Sequence, residues 1–195
     1  MEFTKEEIRA TMKVLESAQS PALLEEENNN ILRKLTTMKE FVDADCIGCY
    51  ISVDGEVETG SMMVKAFEMG KKVCVPAYYD DVEGYKYVVM DRNTPLIEGK
   101  YKIPEPKCKI EIEQSPDIVI IPSVAFDFER NRLGHGKGYF DRLLATVSSD
   151  TLKIGLAFSF QIVSKIPTIE TDLPMDKIVL SQGTIQSCSC CKSDT

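Results

Sequence analysis

The sequence predicts an α/β protein, a three-layer α/β/α fold with a mainly parallel sheet. Short runs rich in β-branched residues alternate with helix-like stretches along the 195 residues, the order expected when parallel strands are joined by crossover helices. One run, DIVIIP at 117–122, is almost wholly apolar, as a strand covered on both faces would be. A hydrophobic content of 43% is enough for one full core at this length.

The elements follow in order. Thr4, Lys5, Glu6 and Glu7 fit a capping box that opens a helix running to about Ala18, with Lys5, Arg9 and Lys13 on one stripe. Ser20 followed by Pro21 starts a second helix through about Lys39. CIGCYISV (46–53) has strand composition, Asp54-Gly55 turns the chain, and residues 59–69 are helical until Gly70 stops them. KVCVP (72–76), YKYVVM (85–90) and DIVIIP (117–122) are the next strands. Residues 139–147 are helical, LKIGLAF (152–158) is a strand, and KIVL (177–180) closes the series. Residues 1–182 read as one domain. Residues 183–195 read as a cysteine-rich tail that is expected to be disordered.

Lys and Arg number 23 against 31 Asp and Glu, a net charge of −8. This argues against nucleic acid or an anionic membrane as partner, since both require a broad positive field. The N-terminus lacks a signal-peptide pattern and no apolar run approaches a membrane span, so a cytoplasmic protein, monomeric and acting on small molecules, is expected. Cys46, Cys49, Cys74 and Cys108 lie in or near apolar runs and read as reduced, packed thiols. Cys188, Cys190 and Cys191 have neither a histidine nor a C-x-x-C pair beside them to make a zinc site.

The stretch NRLGHGKGYFDRLL (131–144) stands apart. It closes a loop of roughly fifteen residues between the buried strand ending at Pro122 and a helix beginning near Tyr139, a length that in a compact domain usually signals function, at the carboxyl end of a strand where α/β proteins bind ligands. Gly134, Gly136 and Gly138 permit close backbone approach, and Arg132, Lys137 and Arg142 supply charge for a polyphosphate. Neither the Walker nor the Rossmann spacing fits: Lys137 is followed by Gly138, and Asn131 and Tyr139 stand where glycines are required. Spacing alone leaves open a solvated loop without function.

PSVAFDFERNRLGHGKGYFDRLL (122–144) resembles the signature of the 5-formyltetrahydrofolate cyclo-ligase (methenyltetrahydrofolate synthetase) family. YISVDGEVETGSMMVKAFEMGKKVCVP, YKIPEP and GLAFSFQIVSKIPTIETDLPMDKIVL are similar to further segments of that family, so most of residues 46–180 is covered. The resemblance implies a fold similar to the ribose-phosphate isomerase and CoA-transferase group. It also implies an enzyme that uses ATP and Mg²⁺ to convert 5-formyltetrahydrofolate to 5,10-methenyltetrahydrofolate, releasing ADP and phosphate. In that scheme the formyl oxygen takes the γ-phosphoryl group, the neighbouring folate nitrogen attacks the activated carbon, and phosphate leaves as the ring closes.

Carried over by resemblance, Lys5 and Arg9 are a phosphate-binding pair, and Arg132, Leu133, Gly134, His135, Gly136, Lys137, Gly138, Tyr139 and Phe140 form the ATP loop. Lys137 and Arg132 are the catalytic cations, and Asp141 and Asp172 hold magnesium. Ile51, Glu56, Tyr78, His135 and Tyr139 contact folate. Without the family, Lys5 and Arg9 read first as a solvated helix face, Asp141 as a helix-dipole carboxylate, Asp172 as a turn cap and Glu56 as a loop charge. His135 reads as a phosphate neighbour rather than a general base. Phe140, where the family has a second tyrosine, and Ala77, where it commonly has arginine, depart from the pattern. A related α/β protein that acts on another N-formyl substrate, or binds nucleotide or folate without ring closure, is the alternative.

Overall fold

The computed structural model describes residues 3–170 and 172–187; Cys188, Cys190 and Cys191 lie outside them. In chain order the elements are α1 (Lys5–Ser17), α2 (Pro21–Thr37), α3 (Lys39–Asp43), β1 (Cys46–Gly48), α4 (Gly60–Glu68), β2 (Lys72–Tyr79), β3 (Gly84–Met90), β4 (Leu96–Glu98), β5 (Pro104–Pro106), β6 (Ile118–Ile121), β7 (Ala125–Asp127), β8 (Arg132–Leu133), α5 (Tyr139–Leu144), β9 (Leu152–Leu156), β10 (Ile162–Val163), β11 (Lys177–Leu180) and β12 (Gly183–Gln186). A 7-stranded sheet runs β12-β11-β9-β6-β1-β2-β3. From β11 to β2 it is parallel, and β3 and β12 add antiparallel edges.

Side-chain alternation explains the layers. Val73 and Val75, Ile118 and Ile120 point to one face, where α2, α3 and α4 cover them with Ile31, Leu35, Phe41 and Met62. Cys74, Val119 and Ile121 point to the other, under Leu143 and Leu144 of α5. The capping box of α1 forms as expected, Thr4 accepting from the Glu7 N–H. Its Ile8 and Met12 pack on Ala125 and Leu133 of a small second sheet, β10-β7-β8, and on Ile166 just beyond β10. That contact carries Arg9 to the loop after β8 and Lys5 to Asp172.

Five expectations are corrected. The second helix stops at Thr37, because Thr36 and Thr37 donate to the carbonyls of Leu32 and Arg33 and Met38 is extended (φ −66, ψ 143) before α3 begins. The strand expected over 46–53 ends at Gly48; beyond it the Tyr50 hydroxyl donates to the Val57 carbonyl and Thr59 donates to the Tyr50 carbonyl, closing a loop on itself. Pro76 does not end its strand, since β2 continues to Tyr79. The β1 side of β2 is open beyond the bond from Cys49 N–H to Cys74 O, so a missing N–H at Pro76 costs little, and at Tyr78 that side is filled by Glu105 and Lys109. The long segment after β6 is built rather than loose: buried Asp127 accepts from the Asn131 and Ile166 N–H groups and closes the β7–β8 turn. Finally, Gly183–Gln186 pairs with β11, so a tail expected from 183 starts no earlier than 187.

Gly155 in β9 leaves room for the buried Phe126 ring: a Cβ there would lie 2.5 Å from Phe126 Cζ. Gly155→Ala is expected to destabilise the fold by about 1–3 kcal/mol through overpacking. A urea midpoint lowered in Gly155→Ala and partly recovered in Gly155→Ala/Phe126→Leu checks the cause.

Candidate active site

The glycine loop is a meeting point of three elements. β8 brings Arg132, whose side chain is 5% exposed and whose Nη2 lies 2.6 Å from Asp141 Oδ1 in the first turn of α5. Its guanidinium also lies over the Phe140 ring, 5.7 Å from the centroid, and its Nε is buried without a hydrogen-bond partner. Gly134 is required by close approach, since a Cβ there would sit 2.8 Å from Arg132 Nη1. Gly136 is required by conformation, at φ +91. From α1, Arg9 donates through Nε to the Gly134 carbonyl at 2.9 Å, and Lys5 Nζ lies 2.6 Å from Asp172 Oδ2.

The charges sort into paired and unpaired. Arg132 has Asp141, Lys5 has Asp172 and Arg9 has Glu6 at 3.2 Å. Lys137, exposed at the loop tip, has no ion pair among the described residues and lies over the Tyr101 ring, 5.9 Å from its centroid. The loop below it is held by Arg142, which donates to the Lys137 carbonyl and lies 4.7 Å over the Tyr139 ring. Burial pushes the Asp172 carboxyl up, but the Lys5 ammonium, the Ile169 N–H and the Arg132 charge together hold it below its ordinary value. Desolvation, then the Arg132 and Arg9 charges, hold the exposed His135 imidazole below its ordinary value.

His135 lines a cavity of about 310 Å³ together with Arg9, Met12, Glu56, Phe160 and Gln161. Glu56 folds back to accept from the Val53 N–H at 3.1 Å, and burial pushes its carboxyl up to about 7. Ile51 is half-buried and packs against the main core instead of lining this space. Tyr78 is not on its wall either. It belongs to a cluster of Tyr78, Tyr85 and Tyr139 in edge-to-face contact at 5.3–6.1 Å, closed by Tyr101, whose hydroxyl is 2.6 Å from that of Tyr139. Thus the folate candidates divide into Glu56 with His135 at the cavity and Tyr78 with Tyr139 beside the loop. Leu133 is buried and anchors the loop.

Tyr101, Met12, Phe160 and Gln161 were not indicated by any spacing. Tyr101 arrives on the β4–β5 hairpin, with φ +58, and opens the segment YKIPEP, whose resemblance to the family carried no site residue.

Comparison with known proteins fits this geometry. The profile of the 5-formyltetrahydrofolate cyclo-ligase family matches residues 2–181. A probable 5-formyltetrahydrofolate cyclo-ligase of Caenorhabditis elegans is 34% identical over 194 residues, covering 93% of this chain and 94% of that protein. The 5-formyltetrahydrofolate cyclo-ligase of Escherichia coli K12 is 29% identical over 168 residues, covering 83% and 92%. Among solved structures, the 5,10-methenyltetrahydrofolate synthetase of Aquifex aeolicus superposes with a TM-score of 0.85 at 26% identity, covering 98% of this chain and 96% of that one. The match runs through α1, the glycine loop and the closing strands alike, and on that extent the chain belongs to the 5-formyltetrahydrofolate cyclo-ligase family.

Proposed function

We propose that the protein closes the ring of 5-formyltetrahydrofolate to give 5,10-methenyltetrahydrofolate, consuming ATP and releasing ADP and phosphate. One observation carries this: His135 belongs both to the cationic glycine loop and to the cavity that holds Glu56, so the phosphoryl donor's cradle and the acceptor's pocket share a wall. An amide oxygen is a poor nucleophile. The site must therefore align it with the γ-phosphoryl group and neutralise the charge spreading over the transferred oxygens. In this reading Lys137, with no ion pair among the described residues, takes the second task together with Arg132 and Arg9. The formyl oxygen departs with the phosphate as the second folate nitrogen, losing its proton, bonds to the formyl carbon.

Asp141 and Asp172 fit magnesium in this reading. No group of three or more His, Cys, Asp or Glu residues among the described ones forms a cage for a metal, but Mg²⁺ takes few carboxylates and completes its shell with phosphate oxygens and water. Asp141 lies against Arg132 and Asp172 against Lys5, so each would share its carboxylate between that cation and the ion. When bound, the ion would neutralise phosphate oxygens. Four free thiols, Cys46, Cys49, Cys74 and Cys108, support a reducing compartment such as the cytoplasm, and we take the protein to act as a monomer. Among the described residues no helix is long and apolar enough to cross a membrane.

The test is the near-ultraviolet absorbance of the methenyl product from 5-formyltetrahydrofolate and Mg²⁺ with and without ATP. Product only with ATP supports the reading; none from a folded, ATP-binding protein assigns the phosphate site to a different acceptor.

Glu56 makes the site pH-dependent. Its carboxyl is raised from 4.5 to about 7 in the fold, so between those values the folded protein holds a proton that the unfolded chain has lost. Stability therefore falls as pH rises through that window and levels above it. The N–H donors of a bound pterin favour the ionised carboxylate, so KM for folate is expected to improve as pH rises through about 7. Glu56→Gln is expected to flatten both slopes and raise KM for folate, checked by urea midpoints and KM at pH 5.5 and 8.

A further inference from the structure

Phe160 takes part in none of the charge contacts, yet among the described residues it supplies the only phenyl ring on the cavity wall. Its placement is built. Ser159–Gln161 form a single 3-10 turn after β9, clamped by buried Gln161, which accepts from the Phe158 N–H and donates to the Ser123 carbonyl, both at 2.9 Å. The Phe158 ring, 4% exposed, lies 10° from parallel to that of Phe160, with centroids 5.9 Å apart. Phe160 is thus stacked on a buried ring and packs against both the main core and the α1 cluster that contains Met12. A cavity lined by an aromatic ring, the Glu56 carboxyl and the His135 imidazole suits a planar heterocycle that carries N–H donors.

We propose that Phe160 is the stacking face for the pteridine ring, selecting the substrate by ring shape while Glu56 accepts from the ring's N–H groups. This rests on the ring-closing reading above. Phe160 is then a specificity residue: it holds the ring so that the formyl group points along the wall that His135 shares with the glycine loop.

The chain contains no tryptophan, so Phe160→Trp places a single indole at the wall. Its emission is to be followed during titration with 5-formyltetrahydrofolate and, separately, with ATP, while calorimetry measures folate binding to this variant and to the unaltered chain. Saturable quenching by folate, with none by ATP, is expected. Phe160→Ala is expected to raise KM for folate by about tenfold, the loss typical of one stacked ring, with KM for ATP unchanged, and Phe160→Tyr to restore it. Emission that stays constant while calorimetry shows folate bound overturns the proposal, as does an unaltered KM for folate in Phe160→Ala. A parallel loss for ATP and folate in Phe160→Ala, without quenching in Phe160→Trp, would show a structural ring only. Absence of folate binding to the unaltered chain would instead sink the ring-closing reading, and the stacking role with it.

Discussion

Lys137→Ala is expected to lower kcat by about 10²–10³-fold, the range seen when one preorganised charge-stabilising donor is removed, while KM for folate changes by less than about threefold. The contrast among the cations is the reason. Arg132, Lys5 and Arg9 each face a carboxylate, so part of their charge is already balanced before any ligand arrives. The Lys137 ammonium faces only the Tyr101 ring and can meet an anion without first leaving a partner. Because it anchors nothing else, its removal is expected to leave the urea midpoint in place. Steady-state kinetics over both substrates and one denaturation curve check this. Unchanged turnover would remove Lys137 from the chemistry, and a lost midpoint would make it a structural residue.

What was legible in the sequence follows from what is local. The Thr4–Glu7 capping box forms within four residues, and the all-apolar run at Ile118–Ile121 becomes the central strand because burial on both faces leaves no alternation to read. The glycine loop was legible for the same reason, since its glycines, cations and Asp141 are consecutive. The remaining site residues are brought together from distant segments. Phe160 and Glu56 share a cavity though about a hundred residues separate them, and Tyr101 reaches Tyr139 across the fold. The β7–β8 pair was missed because β8 is only two residues long and is held by the buried Asp127 side chain, not by a hydrophobic pattern. The strand β12 was missed because Gly183–Gln186 is polar and its exposed edge buries little. In each case the deciding contact is non-local, and hydrophobic periodicity carries no record of it.

Arg132→Met separates a structural from a chemical role at the most buried charge of the site. Arg132 sits at 5% exposure against Asp141 at 34%, so methionine fills the guanidinium's space while leaving a carboxylate with an open route to water. The cost in stability is therefore expected to be about 1–3 kcal/mol, below the value for breaking a fully buried pair. Turnover is expected to fall by more than about 10²-fold, because the positive charge beside the transferred phosphoryl group is gone. Removing the charge also takes away one of the influences that hold His135 down and one that holds Asp172 down, so the His135 titration, followed by NMR on the only histidine in the chain, is expected to move up. Adding Asp141→Asn to Arg132→Met is expected to recover the lost stability, since no unpaired carboxylate remains, without recovering any turnover. Because Asp141→Asn also removes a carboxylate assigned to magnesium, regained activity in the double variant would overturn two roles at once: Arg132 would serve only to neutralise Asp141, and Asp141 would not be needed for the metal.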